Sequence, residues 1–151
     1  MSQINRIDGG LIDQTKSVSF TFNGQILRGY EGGTLASALL ANNKHLVWRS
    51  FKYHRPRGIV TADSEEPNAI MEIGRGAYKE PNTRATITQL YNGLEANSQN
   101  HRGPLGFDFM AITDFFSPLL SAGFYYKTFM WAKTFWEKVY AVSYKPLPAQ
   151  Q

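Results

Sequence analysis

The sequence predicts an α+β fold in which a small mixed sheet packs against one helix. Residues 17–22 (SVSFTF) and 25–30 (QILRGY) flank the pair Asn23-Gly24, and this arrangement is typical of a β-hairpin. Residues 35–41 (LASALLA) then predict a short helix, and two further apolar segments follow it. A hairpin followed by a helix and more strands is the order expected of an α+β domain.

The hairpin is the strongest local pattern in the chain. Asn23 and Gly24 suit a type I′ turn, because both central residues of that turn need a positive φ. Val18, Phe20 and Phe22 alternate with polar residues, so we expect them to share one buried face. The preceding 16 residues are polar, and Gly9-Gly10 marks a turn in an arm outside the core.

The helix has recognisable ends. Thr34 is placed to cap its N-terminus, and Asn42-Asn43 suits a left-handed exit. Leu35, Ala38 and Leu39 fall on one stripe with Asn42. Because the helix is short, we expect its stability to come from packing that stripe on the hairpin.

Two more strands are predicted farther along the chain. Residues 68–73 form one candidate, with Ile70 and Ile73 partly inward, and residues 84–91 form the other. Between them, residues 74–82 contain two glycines and a proline and predict a loop. Residues 92–106 are polar and predict an exposed connection.

The C-terminal part is rich in aromatic residues. Residues 107–144 contain thirteen of the chain's 21 aromatics, and helices are predicted at 110–120, interrupted by Pro118, and at 129–142. So much apolar surface indicates docking on another domain or subunit; the interleaved lysines leave a membrane-surface helix as an alternative. We expect the chain alone to self-associate, and truncation near Asn92 to leave a more soluble core. The candidate interface residues are Phe124, Tyr125, Tyr126, Trp131 and Trp136.

Residues 49–58 (RSFKYHRPRG), here called the basic arm, hold five basic side chains and two aromatics. Pro56 favours an extended conformation over a helix. The cations could neutralise phosphates and the aromatics could stack on bases, as in single-strand binders. Arginine also pairs with carboxylates across a domain or subunit contact, and we favour this second interpretation. The candidate interface residues of the arm are Arg49, Lys52, Tyr53, His54, Arg55 and Arg57.

Composition excludes several kinds of site. The chain has 151 residues, 42% of them hydrophobic, which fits one domain, and its net charge of +4 indicates an anionic partner only weakly. It has no cysteine, which excludes disulfides and cysteine-ligated zinc or iron–sulfur sites. His45, His54 and His101 lack metal-ligand spacing, and Glu65 and Glu66 are expected to be solvated or in salt bridges. We assign no catalytic, cofactor-binding or metal-binding residue.

Location is predicted from what the sequence lacks. The N-terminus has no charged start followed by an apolar run, so no signal peptide is predicted. No apolar run reaches the ~18 residues of a membrane-spanning helix. Together with the absence of cysteine, which suits a reducing compartment, this predicts a cytoplasmic protein without a membrane contact.

Four segments carry a resemblance to a known family. They are residues 49–59 (RSFKYHRPRGI), 65–69 (EEPNA), 81–86 (PNTRAT) and 122–131 (AGFYYKTFMW), and they resemble the N-terminal region of the alpha subunit of heterotetrameric sarcosine oxidase. The resemblance implies a β-grasp domain, the fold of 2Fe-2S ferredoxins, without the cluster. It implies a flexible arm at 1–15, the β-grasp domain at 16–98, and at 99–151 an aromatic-rich helical docking segment and a linker toward a dinucleotide-binding domain.

The resemblance also implies a function. The family's enzyme, an oxidoreductase acting on CH-NH donors, oxidatively demethylates sarcosine with NAD, FAD, FMN and tetrahydrofolate. We expect these only in the full complex, because this chain lacks the Gly-x-Gly-x-x-Gly fingerprint after a strand. The chain is then a non-catalytic domain, inactive alone, that assembles with the rest of the alpha subunit and the other subunits. The alternative is a stand-alone module that binds a polyanion or, less favoured, nucleic acid through the basic arm.

Overall fold

The computed structural model describes residue 3, residues 5–7 and residues 9–116. By internal contacts the chain divides into two units, Met1–Asp114 and Phe115–Gln151, and only the first two residues of the second unit are described. Of the first predicted C-terminal helix, the described part forms a 3-10 turn at Phe109–Ala111 and one helical turn, α2, at Ile112–Phe115. The remainder of that helix, and the helix predicted at 129–142, lie outside the described residues.

A five-stranded mixed sheet and one helix form the first unit. The sheet has the order β2-β1-β7-β5-β6, in which β1 and β7 are parallel and the other neighbours are antiparallel, while β3 and β4 form a second, two-stranded sheet. The elements are β1 (Ser17–Phe22), β2 (Gln25–Tyr30), α1 (Leu35–Ala41), β3 (Trp48–Arg49), β4 (Pro56–Arg57), β5 (Ile70–Ile73), a 3-10 turn (Gly76–Tyr78), β6 (Glu80–Arg84) and β7 (Leu94–Asn97).

The predicted hairpin is confirmed. Asn23 and Gly24 have φ values of 49° and 78°, as a type I′ turn requires. Phe20 and Phe22 are buried on the inner face of β1. Asn23 also fastens the turn to the end of β7, because its N–H donates to Ala96 O (3.0 Å) and its Oδ1 accepts from the N–H of Ser98 (2.8 Å).

The turn gives a testable expectation for stability. Gly24→Val should lower the free energy of unfolding by about 1 kcal/mol or more, because it forces a β-branched residue to a positive φ. Gly106→Val is the matched control, since Gly106 has open space around its Cα and no positive φ. Urea unfolding of both variants measures the difference. Equal stability of the two would mean that the hairpin turn lies elsewhere.

The predicted helix and both of its ends are confirmed. Thr34 Oγ1 accepts from the N–H of Ser37 (3.2 Å), and Asn43 leaves the helix with a φ of 59°. Leu35 and Leu39 are fully buried against the sheet. Gly29 in β2 makes room for this packing, because a Cβ there would lie 3.3 Å from the Cβ of Ala38.

The strand predicted at 84–91 is wrong, because the strand β6 spans Glu80–Arg84 and ends where the predicted strand begins. The loop predicted at 74–82 is confirmed for residues 74–79, which include a 3-10 turn, and is wrong for residues 80–82, which belong to β6. After Arg84 the chain turns, and the carbonyl groups of Ala85 and Thr88 accept from the first N–H groups of α1 (3.0 and 2.8 Å). These carbonyls therefore serve the start of the helix instead of a strand partner. β6 itself is exposed and contains Pro81, so it carries no apolar alternation that sequence analysis could detect.

The exposed connection predicted at 92–106 is wrong for residues 94–97, which form β7, the central strand of the sheet, whereas residues 98–106 belong to no strand or helix. Leu94 and Ala96 are buried in the core. A strand of four residues with two inward side chains is too short to show a period. In β5 the inward residues are Met71 and Ile73, which share a face because they are two residues apart, whereas Ile70 is only half-buried.

Candidate interface site: the basic arm and Asp108

The basic arm forms a short two-stranded ribbon, which confirms the extended conformation predicted for it. β3 pairs with β4 through Trp48 opposite Arg57 and Arg49 opposite Pro56. His54, with a φ of 54°, lies in the turn between the strands. The ribbon places Arg49 on its inner side, whereas Phe51 and Arg55 in the turn are exposed.

Arg49 is buried, with only 6% of its surface exposed. Its guanidinium donates to three carbonyl groups, those of Leu105 from Nε (2.9 Å), His54 from Nη1 (2.8 Å) and Gly106 from Nη2 (3.2 Å). It also lies 4.0 Å from a carboxylate oxygen of Asp108. Arg49 therefore ties the arm to residues 105–108 and does not face an external anion.

Asp108 is the buried anion of this cluster. Its Oδ2 lies 2.7 Å from Nδ1 of His54, and its Oδ1 accepts from the backbone N–H groups of Arg102 (2.9 Å) and Met110 (3.0 Å). Burial raises the pKa of Asp108, but these two N–H groups and the His54 ring outweigh burial and hold it below its ordinary value. We therefore expect an ionised carboxylate in the folded protein at neutral pH.

The outer part of the arm carries the other predicted residues. Arg55 forms a half-exposed ion pair with Asp114 (2.7 Å) and lies over the ring of Tyr53 at 4.8 Å. Lys52 lies over the same ring at 5.0 Å, and Arg57 is exposed. The structure thus pairs two of the arm's arginines with carboxylates of its own unit. The role of these residues in an interface stays a prediction, and the candidates at 124–136 lie outside the described residues.

Glu66 corrects the expectation that it would be solvated or salt-bridged. It is fully buried, and its carboxylate accepts from the backbone N–H groups of Val60 (2.9 Å), Asn68 (2.7 Å) and Thr61, and from the Thr61 hydroxyl (3.1 Å). Burial raises the pKa of Glu66, but the N–H groups outweigh burial and leave the pKa below its ordinary value. Glu66 therefore organises the loop between β4 and β5. Nothing in an adjacent pair of glutamates indicates which one is buried.

Sequence analysis also missed a serine beside a histidine. Ser98 Oγ lies 2.7 Å from Nε2 of His101, whose Nδ1 lies 2.7 Å from the carbonyl oxygen of Gly103. A hydroxyl beside an imidazole is the geometry of an activated nucleophile. Here, however, the same hydroxyl lies 2.9 Å from Oδ1 of Asn23, so it is engaged on both sides. We infer that the hydrogen bonds among Asn23, Ser98 and His101 hold the hairpin turn against the end of β7.

The two buried carboxylates predict acid sensitivity. The folded-state pKa of each lies below its ordinary value, 4.5 for Glu66 and 3.8 for Asp108, so each stabilises the fold above that value. As the pH falls from about 4.5 toward the folded-state pKa values, the free energy of unfolding should therefore decrease. Urea unfolding at several pH values measures this decrease. A pH-independent stability between pH 5 and pH 3 would contradict the assignment of the two ionised carboxylates.

Comparison with known proteins first defines the class. Residues 15–101, more than half of the chain, match the family model described as "2Fe-2S iron-sulfur cluster binding domain". The chain belongs to this family, and its mixed sheet with few helices confirms the predicted ferredoxin-like fold.

The particular relatives are alpha subunits. The chain is 60% identical over 131 residues to sarcosine oxidase subunit alpha of Rhizobium meliloti (strain 1021), a match that covers 87% of this chain and 13% of that protein. It is 35% identical over 100 residues to sarcosine oxidase subunit alpha of Corynebacterium sp. (strain U-96), covering 64% of this chain and 10% of the relative. The chain thus spans about one eighth of the length of the first relative, and the predicted resemblance is confirmed.

The chain also resembles solved structures. L-proline dehydrogenase from P. horikoshii aligns with a TM-score of 0.45 and 26% identity, over 58% of this chain and 16% of that chain. A likeness at this TM-score supports no argument about this chain. In the described part of the chain, no helix is long and apolar enough to cross a membrane.

The iron–sulfur cluster in the family's name does not fit this chain. Such clusters are held by four cysteine thiolates, or by two cysteines and two histidines, and the chain has no cysteine. Within the described residues no three His, Asp or Glu side chains are grouped so that they could hold a metal ion. His54 and His101 are engaged with Asp108 and with Ser98 and Gly103. The domain therefore has the fold of the family, but its side chains do not provide the cysteine ligands that the cluster needs.

Proposed function

We propose that this chain is the non-catalytic N-terminal domain of a sarcosine oxidase alpha subunit and serves in the assembly of that subunit with its partners. One observation carries the proposal: the chain is 60% identical over 131 residues to a protein of which it covers only 13%. In this proposal the oxidative demethylation of sarcosine, and the NAD, FAD, FMN and tetrahydrofolate it uses, belong to the full complex. The chain alone is then inactive and cytoplasmic.

The state of the basic arm supports assembly over polyanion binding. Arg49 is buried on three carbonyl groups and the half-exposed Arg55 is paired with Asp114, which leaves Arg57 as the exposed arginine of the arm outside an ion pair in the described part of the chain. A polyanion-binding arm needs exposed cations that release counterions from the nucleic acid. The division into an arm at 1–15, a β-grasp domain at 16–98 and a docking segment with a linker at 99–151 remains part of the proposal.

A binding experiment tests the proposal. The full chain is mixed with Rhizobium meliloti sarcosine oxidase subunit alpha from which the matching N-terminal region has been deleted, and the mixture is run on a sizing column. We expect the two to elute together, and to do so even at about 1 M salt, where the Debye length is only about 3 Å. A single-stranded DNA oligonucleotide is the comparison ligand. Separate elution from the subunit, together with salt-sensitive binding to the DNA, would support the polyanion alternative instead.

A further inference from the structure

Residues 107–109 invert the usual pattern of burial. The Asp108 side chain is fully buried, whereas its neighbours Phe107 and Phe109 are 69% and 66% exposed. Carboxylates are normally exposed and large aromatics buried, so a buried charge beside exposed rings is informative. Met110 and Ile112 continue the exposed apolar surface. We call these four apolar residues, Phe107, Phe109, Met110 and Ile112, the 107–112 patch.

The patch is held in place by the atoms behind it. The Asp108 carboxylate accepts from the N–H groups of Arg102 and Met110, and the N–H of Phe109 donates to Arg102 O (3.0 Å). Phe109 also covers Gly103, where a Cβ would lie 2.7 Å from its ring. The rings of Phe107 and Phe109 pack edge to face with centroids 5.5 Å apart. A surface fixed before binding loses less conformational entropy when a partner docks.

The size of the patch indicates the centre of an interface. A buried aromatic side chain removes ~150–250 Å² from water, so the exposed parts of the four residues amount to roughly 400 Å². That is comparable to the largest apolar patch on a typical monomer, which is often functional. A stable interface buries about 800 Å² per partner. The patch therefore suits the apolar centre of an interface with a polar rim around it.

The extent of the sequence matches indicates the occupant. A match over 131 of the 151 residues must include residues 21–131, so the likeness to subunit alpha runs through the patch. The match to the general iron–sulfur domain family ends at residue 101, before the patch. The patch therefore lies in a part of the chain shared with a much longer protein, most of which this chain does not contain.

We propose that the 107–112 patch docks on the remainder of the alpha subunit, an inference that rests on the proposed function. The partner surface has an apolar centre and a carboxylate at its rim facing Arg102. Arg102 is exposed, and in the described part of the chain no carboxylate lies within ion-pair distance of its guanidinium. Complementary charge at a rim mainly raises the association rate.

The experiment compares two double variants of the full chain. Phe107→Ser with Ile112→Ser removes half of the patch, and Tyr78→Ser with Ile87→Ser removes two exposed apolar residues (89% and 59%) elsewhere in the sequence. Each is titrated with the truncated Rhizobium meliloti subunit alpha described above. We expect the patch variant to bind at least about tenfold more weakly and the control to bind like the wild type. Arg102→Glu should slow association and leave thermal stability unchanged.

The outcomes separate this inference from the proposed function. Wild-type affinity in the patch variant would overturn the patch inference and leave the proposed function standing. Failure of the wild-type chain to bind the truncated subunit would overturn both. If the chain alone dimerises and only the patch variant is monomeric, the occupant is a second copy and the inference is wrong. Circular dichroism of every variant shows that weaker binding does not come from unfolding.

Discussion

A chain that ends at Asn92 should not fold, whereas a chain that ends at Phe116 should keep the sheet. The shorter chain lacks β7, which lies between β1 and β5 and pairs with both, through Phe20 opposite Leu94 and Ile73 opposite Ala96. Without it, the hairpin β1–β2 and the pair β5–β6 have no strand to join them. An isolated two-stranded hairpin is marginally stable at best in water.

Far-UV circular dichroism and urea unfolding distinguish the two truncated chains. We expect the Phe116 chain to unfold cooperatively and the Asn92 chain to show no transition. This result is the opposite of the expectation drawn from the sequence, that truncation near Asn92 leaves a soluble core, because β7 lies beyond that point. A cooperative transition in the Asn92 chain would show that β7 is dispensable and that the sheet order is different.

Glu66→Gln should lower the free energy of unfolding by about 2 kcal/mol or more. One carboxylate oxygen accepts from the N–H groups of Val60 and Thr61, and the other accepts from the N–H of Asn68. Whichever way the glutamine amide is oriented, its NH₂ group faces at least one backbone N–H donor of this part-buried network, which then loses its acceptor. A buried donor without an acceptor costs about 1–3 kcal/mol, and more where a charged partner has been lost.

Glu65→Gln is the matched control for Glu66→Gln. Glu65 is the preceding residue and is exposed, so the same chemical change should alter stability by less than about 0.5 kcal/mol. Urea unfolding of both variants at pH 7 provides the comparison, and repetition near pH 4 should narrow the difference, because Glu66 protonates in the unfolded chain below its ordinary pKa of 4.5. Equal stability of the two variants at pH 7 would mean that Glu66 is accessible to water.

The elements that depend on local chemistry could be predicted from the sequence. The hairpin followed from Asn23-Gly24, which adopts the turn almost independently of its surroundings, and the helix followed from the Thr34 cap and one apolar stripe. The extended basic arm followed from Pro56, which restricts the residue before it. In each case neighbours in sequence determine the conformation.

The remaining strands could not be predicted because their partners are distant in sequence. β7 shows only Leu94 and Ala96 as inward residues, and it is a strand because β1 and β5 lie on either side of it. Residues 84–91 carry β-branched residues in an alternating pattern, but the carbonyl groups of Ala85 and Thr88 accept hydrogen bonds from the N-terminus of α1. Tertiary contacts therefore override β-propensity in that segment.

The sequence predicts the basic arm of the candidate site but not the carboxylates that pair with it. It favours pairing of the arm's arginines with carboxylates across a contact, but it does not indicate which carboxylates. The structure places Asp108 beside Arg49 (4.0 Å) and His54, 54 residues from the histidine, and Asp114 beside Arg55. Asp108 lies between Phe107 and Phe109, and the sequence pattern of this segment does not indicate whether its carboxylate is buried or solvated. Only the fold brings the arm and Asp108 together.

Both outer strands of the five-stranded sheet have backbone groups that are unable to pair with a further strand. In β6, Pro81 has no N–H to donate, and the N–H of Asn82, at a φ of 59°, donates to Oε1 of Gln99 (3.2 Å). On the other side, the carbonyl of Arg28 in β2 accepts from the side-chain amides of Gln3 (2.5 Å) and Asn42 (2.7 Å). Strand addition and edge-to-edge aggregation are thereby disfavoured. We therefore expect a partner of this domain to bind through side-chain surfaces more readily than by extending the five-stranded sheet.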